Sequence, residues 1–326
     1  MSRWSLPLAV LLAGCAAATS PPPSPAGPRI VVAHDSLETS YALAGAAVVH
    51  DGTVHLWTAI TSGIEGDGQR IVHLTSSDLR TWEGDPTQPV LDDVAMSGFD
   101  AIGPVPSSVL IEPDGTWRMF GGGRLAEGDT SILWMATAPG PDGPWTLHRT
   151  AILLPERVGW DGLRVDHPSV VRTDDGYLMA YGGASPAGPN RGRIGFARST
   201  DAISWIRVPT SLEGADDDLA LGPAACDVDA RTMVEPELRV TDDGGMRLDF
   251  GLIEVGGDEM VIASATSEDA VTWTCTTEGP ILEAADVDGL RNLHSFLPLR
   301  VDDREVFLVE LLAPGSGSSD LWLVDR

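Results

Sequence analysis

The sequence is poor in positive charge and in cysteine. Its 21 Lys and Arg residues stand against 48 Asp and Glu, so the formal net charge is −27. A surface of that charge repels nucleic acid and anionic membranes, which disfavours a polyanionic partner and suits neutral sugars or cations better. With three cysteines and no cluster of His and Cys, a structural zinc site is also disfavoured. No glycine-rich strand-to-helix turn is present, so we expect no nucleotide cofactor.

Long apolar runs are also missing after the first residues. Arg3 precedes an apolar stretch that ends in Leu12-Ala13-Gly14-Cys15, and this stretch is too short to span a bilayer. The sequence around Cys15 resembles the lipobox of bacterial lipoproteins. The resemblance implies a signal peptide over 1–14, lipidation of Cys15 and a Pro-rich tether over 15–28. A simple secretory signal is the alternative.

Ala16 follows this cysteine, and by resemblance to the sorting rule of enteric bacteria it favours the outer membrane. We therefore expect a monomer in the cell envelope that is held to the membrane by its lipid anchor only. Two cysteines remain, Cys226 and Cys275. In an exported protein they can form one disulfide, but two free thiols fit their spacing equally well.

A repeat of about 60 residues is the strongest pattern in the chain. Each copy begins with two apolar strands joined by an acidic-Gly turn, which is typical of a hairpin because Gly accepts a positive φ. A third strand, a Ser/Thr-Asp cluster and a Trp follow. The four Trp residues are Trp82, Trp145, Trp205 and Trp273.

A fifth, partial copy ends the chain, and the strand over 29–33 is the candidate for its missing fourth strand. The repeat thus predicts an all-β fold over 29–326, a five-bladed β-propeller with four-stranded antiparallel blades closed by the N-terminal strand. We expect each Ser/Thr-Asp cluster to form the turn between third and fourth strands, and its Trp to pack between blades. The rival is a six-bladed sialidase, whose Ser-to-Trp spacing is one residue longer and whose site needs three Arg side chains.

The first strand of each blade is expected to begin near one of five residues: Leu43, Pro104, His167, Pro236 and Ser295.

The third repeat and its turn resemble the five-bladed glycoside hydrolases of families 43, 32, 62, 68 and 130. The resemblance covers about 29–326 and implies carbohydrate as the partner. The residues that carry it are Asp166-His167-Pro168-Ser169-Val170-Val171, Asp175-Gly176-Tyr177, Tyr181-Gly182-Gly183, and Ala197-Arg198-Ser199-Thr200-Asp201 with Trp205.

The resemblance also implies a catalytic set. In family 43 a base lies on blade one, a pKa-tuning Asp on blade three, an acid Glu on blade four, and often a His near a central ion on blade five. Asp166, Glu235 and His294 match the last three. Glycoside cleavage uses these types because one carboxyl must protonate the leaving oxygen while another carboxylate activates water or attacks carbon.

The family pattern is not complete. Blade one should present Asp-Pro before Ala46, but the sequence has Tyr41-Ala42-Leu43-Ala44-Gly45 instead. Asp35, Glu38 and Asp100 are the candidates for the missing base.

On blade three His167 separates Asp166 from Pro168, and on blade four Glu235 directly precedes Pro236. A shift of one residue along a strand turns a side chain to the other face, so Glu237 is an alternative to Glu235. The candidate substrate-binding residues are Trp160 as a stacking platform, Arg164, His167 and His294.

Two functions remain open at this point. One is a glycoside hydrolase that acts on poly- or oligosaccharide outside the inner membrane, and the other is a propeller that binds glycan or protein without hydrolysis. A phosphorylase is a lesser alternative, for which Arg164, Arg191 and Arg193 are available. We expect no cofactor. A structural ion such as calcium in the central channel is the alternative.

Overall fold

The computed structural model describes residues 28–61, 68–128, 130–156, 159–185, 192–209, 211–212, 230–254, 259–276, 280–283, 286, 292–312 and 317–325. The predicted signal peptide, the lipidation at Cys15, Arg191 and Cys226 lie outside these residues. Cys275 is disulfide-bonded, and its pairing with Cys226 stays a prediction. Within the described ranges, no helix has both the length and the apolar character needed to cross a membrane.

The described strands form five sheets, which confirms the predicted five-bladed propeller. The N-terminal strand is β1 (Arg29–Val32), and blade one contains β2 (Tyr41–Ala42), β3 (Ala46–His50), β4 (Thr53–Thr61), β5 (Arg70–Ser76) and β6 (Leu91–Asp92). One short helix, α1 (Asp93–Met96), and 3-10 turns at His34–Leu37 and Ser97–Phe99 lie between strands. Blade two contains β7 (Ala101–Ile111), β8 (Trp117–Leu125), β9 (Ser131–Ala138) and β10 (Thr146–Leu147).

The remaining blades repeat the same order of antiparallel hairpins. Blade three contains β11 (Arg164–Thr173), β12 (Gly176–Ala184), β13 (Gly192–Ser199) and β14 (Ile206–Val208). Blade four contains β16 (Ala230–Val240), β17 (Met246–Glu254), β18 (Met260–Ser267) and β19 (Thr272–Cys275), with the short β15 (Ser211–Leu212) parallel to β19. Blade five contains β20 (Asn292–Val301), β21 (Arg304–Leu312) and β22 (Ser319–Asp325).

The N-terminal strand closes the ring as predicted. Strand β1 pairs antiparallel with β22, with Arg29 opposite Leu323 and Ile30 opposite Trp322. It therefore becomes the fourth strand of blade five and covers an edge that would otherwise expose unpaired backbone groups.

The Ser-Asp clusters form the predicted turns. In blade one, Ser76 Oγ accepts a hydrogen bond from the Leu79 amide at 2.9 Å, and Leu79 has a left-handed φ of 58°. Blades three and four repeat the hydrogen bond at 2.9 Å, from Ala202 to Ser199 and from Ala270 to Ser267. Each serine accepts a hydrogen bond from a turn amide that has no partner in the strand pairing. The turn is therefore stabilised by residues close together in the sequence.

Three of the four Trp residues that follow these turns pack against an aromatic ring of the preceding blade, in agreement with their predicted place between blades. The ring-centre distances are 5.8 Å for Trp145 and Trp57, 6.4 Å for Trp205 and Phe120, and 5.0 Å for Trp273 and Phe196. Such pairs bury a large apolar area, so the core lies mainly between blades. Trp82 packs similarly, against the cluster that joins blade one to blade five.

The first strand of each blade is irregular near its start. Register shifts interrupt β7, β11, β16 and β20, and blade one has a gap between β2 and β3. Three of the shifts contain a residue before Pro with a left-handed φ, namely Gly103 at 67°, His167 at 47° and Glu235 at 52°. These are β-bulges, which bend a strand and redirect a side chain.

The bulges also correct the expected strand starts. Four first strands begin earlier than predicted, at Ala101, Arg164, Ala230 and Asn292. A Pro in a strand is normally confined to the first residue or to a bulge, and in three of these strands, β7, β11 and β16, it lies at the bulge.

Candidate functional site

The first strands of the five blades line a central channel that widens into a cavity at each end. The cavity at the bulges, here called the upper cavity, has a volume of about 460 Å³. All five blades contribute to it, through Leu43, Ala44, Gly103, His167, Glu235 and His294. The lower cavity, of about 850 Å³, is lined farther along the same strands by residues that include Val48, Leu110, Arg172, Arg239 and Leu299.

Five of the predicted site residues meet in the upper cavity. They are Asp166, Glu235, Arg164, His167 and His294. Asp166 and Glu235 therefore line one cavity although they are 69 positions apart on separate blades, which is the arrangement expected of paired carboxyls. A sixth titratable group, Arg124 on β8, lines the same space and was not predicted.

His167 lies between the two carboxyls. Its Nδ1 is 3.4 Å from Asp166 Oδ1, and its Nε2 is 3.2 Å from Glu235 Oε1. Burial alone would lower the pKa of His167, but the charge of Glu235 and the contact with Asp166 outweigh burial and raise this pKa to about 9. The imidazole is thus protonated at neutral pH and holds both carboxyls in place.

Asp166 is the ionised member of the pair. Burial acts to raise its pKa, but the hydrogen bond and charge of His167 and the charge of Arg164 lower the pKa overall. Arg164 Nε is 3.2 Å from Asp166 Oδ2. The carboxylate lies over Gly182, where any Cβ would overlap Asp166 Oδ1.

Glu235 has the opposite shift. Burial raises its pKa, and the neighbouring charges of Glu310 and Asp166 raise it further against the opposing effect of His167 and His294. Two carboxyls of one cavity thus differ in their affinity for a proton. Such a difference is the basis for assigning one group as acid and the other as base.

His294 has a buried acidic partner that sequence reasoning missed. Its Nδ1 is 3.0 Å from Oε2 of Glu310, which is fully buried on β21. Ser295 Oγ also donates to Glu310 Oε2, at 2.7 Å, and accepts from the Ala44 amide at 3.1 Å. The one available signal was a carboxyl inside the apolar run Val306-Phe307-Leu308-Val309-Glu310-Leu311-Leu312.

None of the three candidates for the missing base is among the residues that line the upper cavity. Asp35 has a side chain that is 91% exposed and pairs with His34. Glu38 and Asp100 are exposed residues with left-handed φ that end the two 3-10 turns. In their place blade one presents Leu43 and Ala44 to the cavity.

Trp160 is also separate from the cavity lining. Its ring is 5.5 Å from the ring of Tyr181 and covers Gly183 and Gly195, where a Cβ would overlap it. The side chain is partly buried in the core cluster between blades two and three. Its position indicates packing, not a stacking platform in this cavity.

Glu237, the alternative to Glu235, lines the lower cavity. The bulge between Val234 and Glu237 turns the two glutamates toward different ends of the channel. Ser169 Oγ donates to Glu237 Oε2 at 3.4 Å, and burial followed by the charge of Glu235 raises the pKa of Glu237 well above its usual value.

A metal ligand set is not evident. Among the described residues, no group of three or more His, Cys, Asp or Glu side chains is arranged to hold a metal ion. At the centre of the upper cavity the protonated imidazole of His167 contacts the carboxyls of Asp166 and Glu235. Because a calcium ion needs oxygen ligands and would be repelled by this cation, the residues present do not fit the calcium ion proposed from the sequence.

Comparison with known proteins supports the fold. No family model and no curated protein matches the chain. Among solved structures, a thermostable family-43 glycoside hydrolase aligns with a TM-score of 0.60 at 16% identity, covering 87% of this chain and 88% of that one. An endo-arabinase from Bacteroides thetaiotaomicron aligns with a TM-score of 0.60 at 14% identity over 91% and 97%.

A third structure comes from the GH130 family, described as mannoside phosphorylases that include glycoside hydrolases. It aligns with a TM-score of 0.57 at 15% identity, covering 86% of this chain and 83% of that chain. At these identities the comparisons show the five-bladed propeller fold, and the chemistry must be argued from the site.

Proposed function

We propose that the protein is a glycoside hydrolase that cleaves poly- or oligosaccharide in the upper cavity. The observation that carries the proposal is the pair Asp166 and Glu235, two carboxyls on one cavity whose pKa values are shifted in opposite directions. The fold is shared with glycoside hydrolases of several families. The lipid anchor at Cys15 belongs to the same proposal, because polymeric substrates are met outside the inner membrane.

Each carboxyl has a distinct role in this proposal. Glu235, whose pKa is raised by burial, is the acid in this proposal and donates its proton to the leaving glycosidic oxygen. Asp166 stays ionised and acts as the base toward water, since no other carboxylate of the described residues lines the cavity. His167 positions both groups through its two ring nitrogens.

The test is sugar release from arabinan, xylan and fructan panels by the wild type, by Glu235→Gln and by Glu237→Gln. We expect Glu235→Gln to lower kcat by about 10²–10⁴-fold, the usual contribution of a general acid. Glu237→Gln is the matched control, since its carboxyl lies two residues away but faces the lower cavity. Equal release by the wild type and Glu235→Gln would contradict the proposal.

A non-catalytic glycan-binding propeller is the second candidate. It is favoured by one observation: blade one presents Leu43, Ala44 and Gln69 to the upper cavity, and none of them is the carboxylate that family 43 places on this blade. Saturable binding of a panel glycan by wild type, without release of sugar, would support this candidate over the hydrolase.

A further inference from the structure

The upper cavity has a local charge unlike that of the whole protein. The chain carries a formal net charge of −27, yet among the described residues the cavity brings Arg124, Arg164 and His167 together with two carboxyls, Asp166 and Glu235. The charge of Glu235 and the contact with Asp166 raise the pKa of His167 to about 9 against the opposing effect of burial, so three cationic groups accompany two carboxyls at neutral pH. An anionic ligand is therefore attracted to this cavity although the protein surface repels it.

The two arginines belong to adjoining strands of blades two and three. Arg124 on β8 is opposite Ser131 on β9. Ser131 Oγ donates at 2.8 Å to the carbonyl of Val165, and Val165 directly follows Arg164. This cross-blade hydrogen bond ties the strand segment opposite Arg124 to the backbone next to Arg164.

Both guanidinium groups retain free donors. Arg164 pairs with Asp166 at its Nε, its side chain is 47% exposed, and it forms no ion pair with any other described residue. Arg124 is exposed and forms no ion pair within the described ranges. By contrast, the four lower-cavity arginines all form ion pairs: Arg172, Arg239, Arg247 and Arg300.

We propose that the upper cavity takes a sugar that carries a carboxylate, that is, a uronic acid residue, and that Arg124 and Arg164 bind this carboxylate. The substrate class rests on the hydrolase function proposed above. A planar guanidinium matches a carboxylate through two parallel hydrogen bonds. A monoanion suits the site better than a phosphate dianion, because Asp166 is ionised beside Arg164 and would repel the second charge.

Affinity in the Glu235→Gln background tests this without turnover. The probes are the methyl glycosides of galacturonate and glucuronate, with the methyl glycosides of galactose and glucose as neutral matches, measured by calorimetry. We expect each uronate to bind at least tenfold more tightly than its neutral match. Adding Arg124→Gln or Arg164→Gln should reduce this preference, and the two together should abolish it.

Arg149→Gln is the matched control, since Arg149 is an exposed arginine after β10 of blade two that does not line the cavity. It should leave the preference unchanged, and thermal unfolding should show that every variant is folded. Equal affinity for charged and neutral sugars, no binding of either uronate, or a preference that survives the double arginine change would overturn the inference. Tighter binding of glucose 6-phosphate than of either uronate would overturn the choice of a carboxylate.

The outcomes also separate this inference from the function on which it rests. Release of neutral sugar that depends on Glu235, with no uronate preference, would refute the acidic substrate and keep the hydrolase. A uronate preference in a wild type that releases no sugar from pectate, glucuronoxylan or the neutral panel would refute the hydrolase and keep the acidic-sugar site.

Discussion

The two ends of the central channel use charged residues in different ways. At the lower end, Asp249 is fully buried and accepts hydrogen bonds from Arg239 at 2.5 Å and from Arg247 at 2.9 Å, and Arg239 also pairs with Glu305 at 2.6 Å. The charges of these groups are paired with one another. At the upper end the strands bulge and His167 and Glu235 have left-handed φ. Two arginines there, Arg124 and Arg164, keep donors that no other described residue occupies.

The difference teaches that cavity size alone does not locate a site. The lower cavity is the larger, at about 850 Å³ against about 460 Å³, but its charges are already neutralised by fixed partners. Left-handed backbone in non-glycine residues costs free energy and persists where the surrounding structure imposes it, often at functional sites. We therefore assign stability to the lower charges and ligand binding to the upper ones.

The largest expected effect is on stability at the lower end. Asp249→Asn removes the buried charge shared by Arg239 and Arg247, so we expect the free energy of unfolding to fall by about 3–5 kcal/mol. The control is Asp242→Asn, which breaks the exposed pair with Arg300 and should cost less than about 1 kcal/mol. Urea denaturation measures both, and similar losses would break the proposed distinction between buried and exposed pairs.

A smaller effect, on activity alone, is expected at the upper end. Gly182→Ala places a methyl group against Asp166 Oδ1 and displaces that carboxylate. We expect kcat/KM for sugar release to fall about a hundredfold, as misplacement of a reacting group by 1 Å can do.

Gly140→Ala is the control for this change. Its added methyl would meet nothing within 4 Å, and Gly140 does not line the upper cavity. It should leave kcat/KM within about twofold. Unchanged release by Gly182→Ala would show that the Asp166 position does not matter.

The smallest expected effect is the pH dependence contributed by His167. Its pKa is raised from 6.5 to about 9 in the folded protein, so its ion pairs stabilise the fold fully below pH 6.5 and lose that effect as pH rises through 9. His167 is 37% exposed, so solvent screening limits the contribution to about 1 kcal/mol.

Unfolding midpoints in urea from pH 6 to 9.5 measure this contribution as the difference between wild type and His167→Gln. The stability difference should shrink steadily toward pH 9. A difference that grows over this range would show that the imidazole is not the cation at the centre of the upper cavity.

The architecture could be predicted because its signals are local. The hydrogen bonds among Ser76, Asp78 and Leu79 join residues only two or three positions apart, and equivalent bonds occur in blades three and four. The Trp that follows each of these turns recurs about every 60 residues. Closure by β1 followed from counting strands. The placement of Asp166 and Glu235 on a common cavity followed from the resemblance in sequence around Pro168 and Pro236.

The rest of the site depends on contacts between blades, which no local pattern reveals. From the sequence, His167 is an inserted residue that would turn the Asp166 side chain to the other face of the strand. In the structure His167 lies in a β-bulge, and its ring contacts Glu235. Glu310 reaches His294 from the neighbouring strand, and Arg124 reaches the cavity from another blade. These partners are defined by the ring geometry.

The most direct test of the account is a crystal structure of Glu235→Gln with a bound oligosaccharide from whichever panel polymer the wild type cleaves. The account predicts the sugar in the upper cavity, with a glycosidic oxygen within hydrogen-bond distance of the side chain at position 235, and with Asp166 and His167 beside the same ring. A sugar seated in the lower cavity among Arg172, Arg239 and Arg247, or one that leaves Asp166 and His167 untouched, would contradict it.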